Sequence, residues 1–124
     1  IPVPEEVLAN INLNLNRLMA EEGKIAVWGM TLTMMELFKE SETLRDPRVF
    51  PVDIAETKRR MDLYGKQVSS PDVINEEEIT VAVITVPSHI GQITSQIEEN
   101  HTSVVQILDI CELVGSELPE MAIA

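Results

Sequence analysis

Gly29, Thr31, Asp53 and Ser88 are the residues whose types and spacing can hold a ligand. Gly29 ends the apolar run Ile25–Trp28 and opens directly onto a helix-like segment, Leu32 to Lys39. A short strand, a tight glycine turn and a helix are how the first unit of a nucleotide-binding α/β domain reads. The glycine admits close backbone approach of a phosphate, or it simply supplies a positive φ at the turn. Asp53 follows at close to the spacing, roughly 20 residues, at which an acid accepts from a ribose hydroxyl in such domains. The plainer reading of Asp53, and the favoured one, is a strand-end aspartate capping the next turn. Thr31 and Ser88 are hydroxyl donors ahead of two helices whose N-termini attract phosphate. For Ser88 the helix-cap role is the ordinary one. The usual glycine-rich signature is reduced to Gly29 alone, with Met30, Thr31, Leu32, Thr33 and Met34 filling the places that follow.

Other reactive side chains give less. His89 and His101 have no cysteine partner at metal-ligand spacing, so each reads as a surface or capping histidine. Nothing around Ser88 resembles a nucleophile elbow. Lys58, Arg59 and Arg60 can in principle hold a phosphate. Three consecutive cations cannot share one face, however, and a solvated polar segment is the better reading. The sequence therefore offers no catalytic residue and no metal ligand set.

The elements that would position these groups alternate along the chain. A first helix starts at or just after Pro4, with Val7, Leu8, Ile11, Leu15, Leu18 and Met19 at helical spacing, and ends at Gly23. The strand at Ile25–Trp28 precedes a helix packed through Met34, Met35, Leu37 and Phe38. A second apolar segment, Arg48 to Ile54, carries Asp53, and a short strand is expected at Gln67-Val68. Ser69-Ser70-Pro71-Asp72 reads as a turn capping a brief helix. Residues 79–86 form a β-branched run suited to a central parallel strand. A helix from His89 to Glu98 and a strand from Ser103 to Ile110 complete the series. This pattern predicts an α/β domain: a parallel sheet of four to five strands, helices on both faces and an N-terminal helix. Residues 1–23 are the N-terminal helix, 24–112 the α/β core and 113–124 a C-terminal tail.

Composition bounds the function. The net charge of −12 and pI near 4.4 disfavour nucleic acid and anionic membrane surfaces. The 44% hydrophobic content with 3% aromatics calls for an aliphatic core, methionines included. No apolar run is long enough to span a bilayer. The single cysteine, Cys111, lies among apolar neighbours and fits a core position in a reducing, cytoplasmic setting. The chain begins at Ile1, which suggests a piece of a longer polypeptide.

From Lys24 to about Glu112 the order of motifs resembles the small Rossmann-like modules of sugar-nucleotide pathways, as in the C-terminal domains of sugar C-methyltransferases. Related modules accompany sugar-nucleotide dehydratases and acyltransferases. The residues that carry the resemblance are Ala26-Val27-Trp28-Gly29, Val52-Asp53, Gly65, Ser70-Pro71-Asp72 and Val83 to Ser88. It implies a non-catalytic accessory domain of a methyltransferase-type protein. Such a domain binds a nucleotide-like ligand (a nucleotide, sugar nucleotide or S-adenosylmethionine in the parent) or positions substrate. The alternative is a ligand-free interaction module, docking to a neighbour or to a second copy through the N-terminal or Met-rich helix. A free-standing NAD-dependent oxidoreductase is a distant third, because the chain has no room for a substrate domain.

Overall fold

The computed structural model describes residues 3–115. Helix α1 (Glu5–Glu22) leads into β1 (Ile25–Trp28) and α2 (Leu32–Glu40). Strand β2 (Val49–Val52) precedes a small hairpin of β3 (Asp62–Leu63) and β4 (Lys66–Gln67). The one-turn helix α3 (Val73–Glu76), β5 (Val81–Ile84) and a 3-10 turn (Pro87–His89) come next. Helix α4 (Ile90–Asn100), β6 (Gln106–Asp109) and the short α5 (Ile110–Val114) close the chain. The four longer strands make one parallel sheet in the order β2-β1-β5-β6.

Side-chain parity along these strands builds two cores. Ile25 and Val27 of β1, Val49 of β2, and Val81 and Val83 of β5 point to one face, under α1, α2 and α5. Ala26, Trp28, Val52, Ala82 and Ile84 point to the other, under α3 and α4. Every β1 and β5 residue is buried, which explains why these runs are continuously apolar rather than alternating. Successive crossovers run in opposite directions: through α2 toward β2, and through α4 from β5 to β6. Right-handed connections of opposite direction must lie on opposite faces, and α2 and α4 do. The result is a Rossmann-like three-layer α/β arrangement. No helix among the described residues is long and apolar enough to cross a membrane.

Pro51 shows how an edge strand tolerates proline. Its carbonyl accepts from Ser69 N–H on the outer side of β2, so its nitrogen also faces outward, where no ladder bond to β1 is lost.

Four details depart from the sequence expectations. The fifth strand does not join the sheet: β4 pairs antiparallel with β3, and only Ser69 reaches the sheet edge, bridging Val52. The 103–110 strand is shorter, because Asp109 turns the chain into α5. There the Asp109 carboxylate accepts from Cys111 N–H while Glu112 accepts from Asp109 N–H, a capping box. The start of the expected 113–124 tail is thus helical; residues 116–124 lie outside the described residues. Finally, Asp72 stands ahead of α3 but makes no side-chain cap bond.

The asparagine row of α1 has a structural use. Asn10 and Asn14, one turn apart, donate to the carbonyls of Val114 (3.1 Å) and Leu113 (2.7 Å), the last residues of α5. Those carbonyls have no intrahelical partner, and α1 satisfies them. Asn12 accepts from Ser41 Oγ at 2.6 Å, and Ser41 Oγ in turn accepts from Leu44 N–H. Helix α1 is thereby pinned to α5 and to the end of α2. Asn14→Ala should cost about 1 kcal/mol by urea unfolding, the net value of one such bond. Asn16→Ala, on the exposed side, should be neutral or stabilising by a few tenths of a kcal/mol through helix propensity.

Candidate functional site

In an open α/β sheet ligands bind beyond the carboxyl ends of the strands, where the strand order reverses. Here that place lies between β1 and β5, and Gly29, Thr31, Asp53 and Ser88 all follow carboxyl ends of strands or open the segments after them. Each is already engaged or displaced. Gly29 adopts φ +114, and its carbonyl accepts from Thr85 Oγ1 at 2.6 Å. A Cβ at Gly29 would overlap Thr85 Oγ1 and come within 2.8 Å of Val86 Cγ2. The glycine therefore serves both a left-handed turn and a close approach, but what approaches is the protein's own Thr85.

Asp53 is 7% exposed. Its Oδ2 accepts from Met30 N–H at 2.8 Å, and its Oδ1 accepts from Ala55 N–H at 2.9 Å. The second bond is the strand-end turn cap. The first ties the loop after β2 to the loop after β1. Lys58 Nζ adds a looser contact, 3.8 Å from Oδ2. Met30, in the position where a small residue would leave room for phosphate, is fully buried in the core beside Met34. Thr31 caps α2, its Oγ1 accepting from Met34 N–H at 3.2 Å. Ser88 sits exposed in the 3-10 turn and does not cap α4, whose N-cap is His89, without a side-chain bond. Pro87 begins that extra turn and moves the helix start past Ser88. The structure thus brings Gly29, Thr31 and Asp53 together around Met30, while Ser88 is left facing solvent.

A second set of polar groups was not legible as a site. His101 is 5% exposed, not a surface histidine: it follows the last turn of α4 and packs edge-on to Trp28, ring centroids 6.2 Å apart. Asn75 Nδ2 donates to Asn100 O at 3.1 Å, so Asn75 Oδ1 faces His101 Nδ1, also at 3.1 Å. Nδ1 therefore carries the proton of the neutral ring. Burial pushes the imidazole below its ordinary value, against the opposing pull of the Asp72 carboxylate. Arg59, expected in a solvated face, is partly buried instead. Its Nη2 donates to Ile54 O at 3.0 Å, and its Nε is buried without an acceptor. Asp72, Asn75, Arg59 and His101 line one cleft of about 440 Å³, which includes none of the four residues at the carboxyl edge. The signal missed was the placement of Asn75 and Asn100, polar residues next to a sheet face otherwise covered by isoleucines. No group of three or more His, Cys, Asp or Glu side chains placed to hold a metal is found among the described residues.

Gly29→Ala should destabilise by about 3 kcal/mol or more, combining left-handed strain with overpacking. In that background Thr85→Ala should cost less than in the parent chain, a positive coupling read from a double-mutant cycle. For His101, the unfolded ring takes up a proton near pH 6.5 while the buried ring resists it. Stability should therefore fall as pH drops below about 6.5. His101→Gln should lose less stability than the parent between neutral and mildly acidic pH, as measured by urea midpoints. No protein-family model matches this chain, and neither does any curated protein or solved structure.

Proposed function

We propose that this is a non-catalytic, Rossmann-like accessory domain whose dinucleotide crevice is closed by its own side chains. Its role is then to position a neighbouring domain or a substrate rather than to carry a nucleotide. The observation that supports this most directly is the bond from Met30 N–H to Asp53 Oδ2. In a working dinucleotide site the amides at the start of the first helix face phosphate. Here the Met30 amide, in the loop just ahead of the Thr31 N-cap, holds a carboxylate that is part of the chain, and the neighbouring Gly29 carbonyl is covered by Thr85. The net charge of −12 opposes a polyphosphate further. The resemblance to sugar-pathway C-methyltransferase modules supports the accessory role, with the chemistry done by a parent protein in a reducing cytoplasm. Asp53 then acts as a structural tie between two loops, not as a ribose acceptor.

A thermal-shift panel tests this reading. NAD, NADP, S-adenosylmethionine, coenzyme A and sugar nucleotides at millimolar concentration should leave the melting temperature unchanged. A ligand present at about 100 times its dissociation constant adds about 2.7 kcal/mol, enough to move the transition by several degrees. A shift of that size with any member of the panel, abolished by Asp53→Ala, would overturn the closed-crevice reading.

A further inference from the structure

The cleft walled by Arg59, Asp72, Asn75 and His101 has the chemistry of a binding site and shares no residue with the Gly29–Asp53 crevice. It lies between the loop after β2, helix α3 and the C-terminal end of α4, with a volume of about 440 Å³, within the usual range for small-ligand pockets. Ile54 and Pro71 are its apolar lining residues; the remainder is polar. That lining offers little to a flat aromatic base and much to a hydrogen-bonding ligand.

Two opposite charges line this cleft without meeting. Arg59 and Asp72 form no ion pair with each other, and neither forms one with another charged group among the described residues. Among the described residues the Arg59 side chain makes one hydrogen bond, to Ile54 O, and its buried Nε–H makes none. A guanidinium carries five N–H donors in a fork that matches a carboxylate. Turning toward an acceptor in the cleft gives Arg59 bonds it now lacks. Asp72 stands where a helix cap would be and its carboxylate accepts nothing from α3. It is left as an acceptor for a cationic donor. His101 lines the same cleft. The chain Asn100 O, Asn75 amide, His101 Nδ1 fixes the proton on Nδ1 and leaves Nε2 as an acceptor lone pair. Gln96 adds an amide on the same wall.

One unpaired cation and one unpaired anion facing a shared space match a ligand that carries both charges. A net-neutral zwitterion also escapes the repulsion that the −12 chain exerts on anions. We infer that this cleft binds a free, polar α-amino acid, its carboxylate on Arg59 and its ammonium on Asp72. His101 Nε2 and the Gln96 amide are then left for a hydrogen-bonding side chain.

Isothermal titration of the chain with L-glutamine and L-asparagine is the test, with amide chemical shifts of Asn75 and His101 followed by NMR. Saturable binding is expected, with both amides shifting. N-acetyl-L-glutamine, which lacks the ammonium, and L-glutamine amide, which lacks the carboxylate, should each bind at least about tenfold more weakly, the loss of one charge-assisted contact. Arg59→Ala and Asp72→Asn should each weaken L-glutamine about tenfold or more while circular dichroism stays unchanged. Absence of saturable binding by any of the common amino acids overturns the proposal. So does equal binding of L-glutamine and its two blocked analogues, a comparison that needs no variant to fold. A nucleotide that shifts the melting temperature without displacing L-glutamine would refute only the closed-crevice reading.

Discussion

The carboxylate of Asp53 joins the carboxyl ends of β1 and β2 through Met30 N–H and Ala55 N–H. Hydrogen bonds to an ionised group contribute about 1.5–3 kcal/mol, and a buried amide left without its partner costs a similar amount. Three other placements hang on this tie. Met30 can bury its side chain only because its N–H is satisfied from the β2 side. Thr31 is then in register to cap α2. Gly29, whose N–H donates to Val52 O at 2.8 Å, is held flat enough for Thr85 to close on it. A diffusing phosphate seeking the same amide competes with an acceptor that is covalently tethered and always present. It also enters the field of a strongly acidic protein.

The sheet reaches this state with very short strands. Each of the four has only four residues, yet β1 pairs residue for residue with both β2 and β5. With period-two alternation, each central strand feeds both cores. A one-residue slip would exchange Trp28 with Val27 and drive the indole into the face occupied by α1, α2 and α5. Register is thus fixed by side-chain size as well as by burial. The pairing of Trp28 with His101 depends on it, because both belong to the α3–α4 face.

Much of the scaffold was legible from the apolar periodicity. The strand, glycine and helix at 25–40, and the β-branched run at 79–86, carry their patterns locally. The remaining elements depend on information that a single segment does not hold. Helix α5 hides because Ile107, Leu108 and Ile110 read as one apolar strand. The Asp109-to-Glu112 capping box was the signal that breaks it. The β3–β4 hairpin turns at Tyr64 and Gly65, both with positive φ. Tyrosine is an unusual first residue for such a turn, so the familiar Asn-Gly or Asp-Gly cue is absent. At the carboxyl edge, residue types pointed to the right loop, and Asp53 was legible as a turn cap. Its bond to Met30 spans 23 positions and depends on the parallel pairing of β1 with β2. His101 reads as exposed because the helix before it ends in Glu98, Glu99 and Asn100. Its burial comes from Trp28, far away in sequence.

These placements also explain why the two polar regions differ in kind. At the carboxyl edge three donors around Gly29 meet acceptors of the same chain: Met30 N–H on Asp53, Met34 N–H on Thr31, Thr85 hydroxyl on Gly29 O. Those three bonds are made within the chain and tie the loop after β1 to its neighbours. Between α3 and α4 the bonding is incomplete in a directed way. One amide chain orients His101, while the Arg59 Nε–H has no acceptor and the Asp72 carboxylate accepts nothing from α3. The buried Arg59 donor without an acceptor costs free energy that an apolar or paired side chain there would not. The Arg59 Nε–H thus places unmet bonding capacity on the α3–α4 face, away from the crevice that the fold class would nominate.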